Sequence, residues 1–437
     1  MIDVLLNLVL YLIAMGAILT IFLPFSPMTI DLILVSRERL IAIYRNRHIL
    51  WIIGALAFGL LLVRSALAEW LPDTAVAQAI GGGGALWFWV AAGSVGALAV
   101  AFWSGYVPYV MTPPSKVEIL SSAEADRSLS PDDTVLGLLH GGQARAYPRD
   151  QLSRPHYVKD TVAGTPLTIS YCILCNSGIA FKSELGGRPL DLMSVTAYNN
   201  NIIFLDPERG NFLQQLDGRI IDGPDKGKQL ESLPLLVSSW REWKQLHPDT
   251  KVYFAPPTGL RDRMVDMMLQ MMIPIDKLAR RDEPWHRVKG SLDTRLPAMS
   301  FVFGVELGGE RCAYPVSGLE REAVVNDTLG GEPLTVFYDE RHKLGSVFSR
   351  RQGGRDLTFR RAAGEAGAAL AKDDETGSEW DVHGHAVSGE LAGAQLTEIP
   401  HFNKLFWFSW ALFKPGTRIA SVDAPQTEPS RAAVVSP

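Results

Sequence analysis

Val158-Lys159-Asp160-Thr161-Val162-Ala163-Gly164-Thr165-Pro166-Leu167-Thr168 and, 167 residues later, Val325-Asn326-Asp327-Thr328-Leu329-Gly330-Gly331-Glu332-Pro333-Leu334-Thr335 are two copies of one pattern. In each, Asp-Thr and the following glycine read as a turn, and Pro-Leu-Thr as the start of a strand. The likeness spreads outward: residues 135–181 align onto 302–348 without a gap, and nineteen of the 47 positions are identical. Gly141-Gly142 falls on Gly308-Gly309, Ala146-Tyr147-Pro148 on Ala313-Tyr314-Pro315, and Phe181 on Phe348. Further on the match thins to Asp206, Glu208 and Gly210 on Asp373, Glu375 and Gly377. An internal repeat of this length, with short strands and Gly-rich turns, predicts a β-rich α+β domain duplicated in tandem about a pseudo-two-fold relation. The units are expected over 134–250 and 301–420, each closing in an aromatic helix (235–247 and 401–413). A connection with a Met-rich helix is expected over 251–300.

The residues before the repeat have another composition. Apolar runs at about 5–25, 49–71 and 85–105 are each long enough to cross a bilayer as a helix. Trp87, Trp89 and Trp103 sit near the ends of the third, as interfacial aromatics do. The chain is therefore read as three transmembrane helices over 1–110, a Pro- and Ser-containing linker over 111–133, the two units, and a disordered tail over 421–437. Arg37, Arg39, Arg45 and Arg47 between the first two spans place that loop in the cytoplasm, and an odd number of spans then places the soluble units there too. The partner implied is the lipid bilayer. A net charge of -5, with no basic run, excludes a nucleic-acid role. There is no Gly-x-Ser-x-Gly, phosphate loop or dinucleotide fingerprint.

Two of only three cysteines stand as Cys172-Ile173-Leu174-Cys175, where the alternating run 167–171 opens into Asn176-Ser177-Gly178. Thiols at this spacing can hold half of a metal site, form a redox pair, or pack as small apolar side chains. The repeat places Asp339 and His342 at the equivalent positions of the second unit. If the two turns converge, Cys172, Cys175, His342 and Asp339 form a donor set acceptable to zinc. If they do not, 339–343 is a solvated charged turn. Tyr171, Asn176 and Ser177 would line the same pocket. Met264, Met267, Met268, Met271 and Met272 offer thioethers to copper, but their helical spacing equally describes an apolar or membrane-facing helix. His140 and His156 are lone histidines, and His383-Gly384-His385 reads as strand residues sharing a face.

Tyr171-Cys172-x-Leu174-Cys175-Asn176-Ser177-Gly178, the upstream Val-x-Asp-Thr-x-x-Gly-x-Pro, Tyr198-Asn199-Asn200, and Phe406-Trp407-Phe408-Ser409-Trp410 before Pro415-Gly416-Thr417 resemble the bacterial domain of unknown function 3179 family. The resemblance covers about residues 115–420 and implies a shared fold and the Cys motif, but no reaction; with the three spans, a bacterial inner-membrane location is expected. Ile173 departs from the family's usual Pro, and 211–215 departs from a Ser-Leu-Trp-x-Gln pattern.

The expected function is a membrane-anchored module binding a ligand or a metal (zinc or copper) at the Cys172/Cys175 turn. The alternatives are a thiol-disulfide oxidoreductase in which Cys172 attacks and Cys175 resolves, and a structural protein without an active site.

Overall fold

The computed structural model describes residues 2–27, 29–30, 35–82, 84–114, 116–256, 259–272, 278, 280–362 and 369–421. All but the first residue of the expected tail, 421–437, therefore lies outside the described residues.

Three helices, Ile2–Phe22, Arg47–Trp70 and Gly84–Gly105, are long and apolar enough to cross a membrane. They pack through one narrow face: Ala14, Ile18 and Ile21 meet Ala57, Phe58 and Leu61. Gly54 is required there, because a Cβ on it would lie 2.5 Å from the Ile18 side chain. Leu5, Leu12, Ile52, Leu56, Leu86 and Val100 point outward and exposed. Arg64, buried near the end of the second span, bonds Asn7 at 3.3 Å and Asp3 at 3.1 Å, while Asn7 donates to the Gly82 carbonyl. That seam explains why an arginine is tolerated at the end of an apolar helix.

The stretch expected as a linker is in part a structural element. Glu118–Ser121 is the edge strand of a five-stranded sheet, antiparallel to Lys251–Phe254. Ser121 then caps the helix Ser122–Ala125 through a capping box with Glu124. The same sheet continues through Gln143–Pro148 and Thr134–His140 to Leu236–Ser239.

Pairings recur at the offset of 167. Leu136 faces Tyr147, and Phe303 faces Tyr314. Lys251 runs parallel to Arg145, and Arg418 to Cys312. The hairpins Tyr157–Val162, Thr165–Cys172, Ser177–Lys182 and Val324–Leu329, Glu332–Asp339, Leu344–Ser349 share one register, with Cys172 opposite Ser177 and Asp339 opposite Leu344. Tyr147 donates to Asp160 and Tyr314 to Asp327, each at 2.8 Å. Trp243 donates to Thr250 and Trp410 to Thr417. Gly137 and Gly304 leave room for those two indoles, which a Cβ would approach to 2.1 and 2.4 Å.

The expected aromatic helices begin later than the sequence suggests. Leu236–Ser239 and His401–Phe406 are strands, and the helices are Trp240–Leu246 and Trp407–Phe413. Ser239 caps the first by accepting from Glu242, which stops the helix from reaching back into the alternating residues before it. His383-Gly384-His385 lies largely in a turn instead of sharing a strand face: Asp381 accepts from the backbone amides of both histidines.

One sheet of the first unit docks onto the helical bundle. Val195, Ile203, Leu205 and Phe212 join Phe22, Phe25, Ile41 and Tyr44 in a single apolar cluster. Arg45 pairs with Asp222 at 2.7 Å, so part of the loop's positive charge binds the protein itself.

Candidate functional site

The strand Thr165–Cys172 alternates until it is buried on both faces, and it delivers Cys172 into the core as it turns. The turn closes with Asn176 in the left-handed region (φ 53), a conformation Asn tolerates better than most residues. Asn176 is held from both sides. Its carbonyl accepts from the Tyr171 hydroxyl at 2.7 Å, and its amide donates to the Lys404 carbonyl at 2.5 Å. Cys172 and Cys175 are free thiols, 1 % and 0 % exposed.

Cys172 donates to the Asn200 carbonyl at 3.2 Å. Cys175 receives the Asn201 side-chain amide at 3.3 Å and lies 3.0 Å from the Ser177 hydroxyl. Ser177 donates onward to Gln215 Oε1 at 2.8 Å, an oxygen that Asn201 also reaches at 2.7 Å. Gln215 donates back to the Ser177 carbonyl, and Gln214 and the Leu216 amide hold the Asn201 oxygen.

This network can serve either protonation state. As a thiol, Cys175 donates to Ser177 while Ser177 donates to Gln215. As a thiolate, it can take the Ser177 proton by rotation of one hydroxyl, with Gln215 still satisfied by Asn201. Burial alone would push the Cys175 pKa up. Hydrogen bonds from Cys172, Ser177 and Asn201 outweigh it and lower it to about 7. Burial and the neighbouring thiol hold Cys172 well above its ordinary value, so the pair keeps one proton where it gives up the other.

Cys172 also forms part of the wall of a cavity of about 450 Å³ between the apolar N-terminal helices and the first unit. Pro27, Ile30, Val107 and Met111 line it from the ends of the spans; His156, Ser194, Thr196 and Ala197 line it from the domain. Burial lowers the His156 pKa to about 4, so the ring is neutral, and its Nδ1 is buried with no hydrogen-bond partner among the described residues. Arg154, at the rim, bonds Asp266, Asp262 (3.4 Å) and the Val110 carbonyl (3.4 Å). The two aspartates come from the Met-rich helix, Leu260–Met272.

The other expected ligands are placed elsewhere. Asp339 and His342 bond each other at 2.5 Å, and Asp339 also accepts from the Arg341 and His342 amides. They form a partly exposed, self-contained turn. Among the described residues no three His, Cys, Asp or Glu side chains group as a metal ion would need. Lys404, bonded to the Lys343 and Val237 carbonyls, stands between the two turns. Of the methionines, Met264, Met267 and Met271 are exposed on their helix. Sequence reasoning missed Asn201, Gln215 and the cavity. The only local signal for the first was three consecutive asparagines after a strand, two of them with positive φ.

A family model described as Protein of unknown function (DUF3179) matches residues 106–417, from the end of the third span to just past the last aromatic helix. No curated protein and no solved structure matches the chain.

Proposed function

The chain belongs to the DUF3179 family, whose description assigns no reaction, and on that premise we propose a membrane-anchored module that binds a small ligand against the Cys172/Cys175 turn. The observation that carries this reading is the 450 Å³ cavity with Cys172 in its wall, a volume within the usual range for small-molecule sites. The two units are read as duplicated halves, of which only the first keeps the site. On this reading the units lie on the cytoplasmic face of a bacterial inner membrane, which the basic loop between spans one and two supports.

The test is native mass spectrometry of the full chain released from lipid nanodiscs, wild type against Ala197→Trp, which fills the cavity. A bound small molecule present in wild type and absent from the variant supports the reading. An empty wild-type chain sinks it.

A second reading is favoured by the hydrogen-bond set around Cys175: the pair is a thiol redox centre. Cys172 is the residue of the pair in the cavity wall, and Cys175, with its lowered pKa, is the one that closes the disulfide. Metal binding is the less supported branch, because Asp339 and His342 satisfy each other. Elemental analysis of chelator-free protein decides it: stoichiometric zinc or copper lost on Cys172→Ser would restore that branch.

A further inference from the structure

We propose that the molecule exchanging electrons with Cys172 and Cys175 is a lipid-dissolved quinone, admitted to the cavity from the bilayer beneath the Met-rich helix; this rests on the redox reading of the same site.

Both sulfurs are essentially inaccessible from the surface, so a protein disulfide cannot reach them. A redox partner must be small enough to enter the cavity that Cys172 lines. That cavity adjoins the membrane-helix ends. Its walls include Ile30 and Val107, next to the first and third spans.

The helix Leu260–Met272 carries two faces. Asp262 and Asp266 turn inward to Arg154, and Val265 is buried against Val107, Val110 and Met111. Leu260, Met264, Met267 and Met271 turn outward, 44–77 % exposed. An apolar face on a helix packed against residues that continue a membrane span lies at the level of the lipid surface, as interfacial helices do. Methionine there gives a pliable boundary through which an apolar molecule can pass.

The lining also speaks to the head group. Its lining includes the uncharged side chains of Ser194 and His156, and Arg154 is engaged by two aspartates. A phosphate would meet excess negative charge there. An uncharged carbonyl head would meet hydrogen-bond partners instead.

The chemistry balances. The two thiols lose two protons and two electrons and form one S–S bond. The quinone's two carbonyl oxygens take up those electrons and protons and become hydroxyls.

The test uses the full chain, reduced and anaerobic, in nanodiscs, with a fully substituted short-chain benzoquinone that cannot be captured by thiol addition. Quinone absorbance and free thiols are followed together. The expected result is one quinol formed per chain and two thiols lost, with Cys312 still free. Neither change should occur in Cys172→Ser, and the rate should fall at least tenfold in Ala197→Trp. Diamide in place of the quinone separates the two levels of the argument. If diamide forms the Cys172–Cys175 disulfide and the quinone does not, the quinone assignment is overturned and the redox reading stands. If neither reagent forms it, both fall. Loss of quinone at the same rate in Cys172→Ser also overturns the assignment.

Discussion

The turn 172–177 of the first unit and the turn 339–344 of the second have the same backbone and opposite fates. Each joins two paired strands in the same register, and each places a residue with positive φ at the same step, Asn176 at 53° and Lys343 at 50°. In the second unit the turn is stabilised from within, by Asp339 accepting from two amides and the His342 ring, and it remains in contact with water. In the first, the Cys172 sulfur takes the Leu174 and Cys175 amides in the corresponding way, but the turn is buried. It is roofed by Asn200, Asn201 and Gln215 and pressed toward the membrane helices. This hairpin thus forms without cysteines in its turn. Two buried thiols surrounded by amide donors are therefore not a requirement of the fold, and their presence asks for a chemical explanation.

That comparison can be broken most forcefully by exchanging the turns. Cys172→Asp with Cys175→His puts a charge-bearing pair where both side chains are buried, and should cost about 3–5 kcal/mol. Thermal unfolding in detergent micelles measures it, and a melting temperature equal to wild type would show the two environments to be equivalent after all.

Next in size is the roof. Asn201→Ala removes the amide that reaches both Cys175 and Gln215. It should destabilise the chain by about 1–3 kcal/mol and raise the Cys175 pKa, read as a shift of the alkylation-rate profile to higher pH. An unmoved profile would remove Asn201 from the account.

A smaller effect concerns pH and should be confined to the first turn. Folded Cys175 has its pKa lowered to about 7, against about 8.5 for an unfolded cysteine, so the unfolded chain binds more protons between these values. Stability should then rise from pH 7 to 9, by about 1–2 kcal/mol, and be lost as pH falls through 7. Cys172, shifted the other way, keeps its proton where the unfolded chain has lost it, so stability should decline again above pH 9. Denaturant midpoints of wild type and the Cys172→Ser, Cys175→Ser double variant test this. The same curve in both would place its cause elsewhere.

The smallest change should come from the second turn. Asp339→Asn or His342→Ala alters a partly exposed pair and should cost less than about 1 kcal/mol by the same melts. A loss as large as that of the first-unit exchange would mean that the second turn, too, is doing something its solvent exposure does not reveal.

Much of the frame was legible. The three spans are visible because their apolar length is a local property, and the hairpins are visible because Gly141-Gly142, Asp160-Thr161 and Gly164 each demand a particular local geometry and recur. The start of each aromatic helix was misplaced because 235–239 and 401–406 are apolar enough for either element. Ser239 capping and sheet pairing decide in favour of strand. The linker was misread because the strand Glu118–Ser121 exists only by pairing with residues more than a hundred positions away.

The sequence alone shows which segments are apolar enough for lipid, that one hairpin pattern occurs twice, and that only the first copy carries thiols in its turn. Those facts follow from composition, periodicity and turn chemistry, which act over a few neighbouring residues. Packing alone settled that Asn201 meets Cys175, that Gln215 meets Asn201 and Ser177, and that helix ends and domain enclose a cavity beside Cys172. Contacts of that kind join positions tens to more than a hundred residues apart. Their geometry is set by how sheets and helices pack, and no local pattern along the chain encodes it.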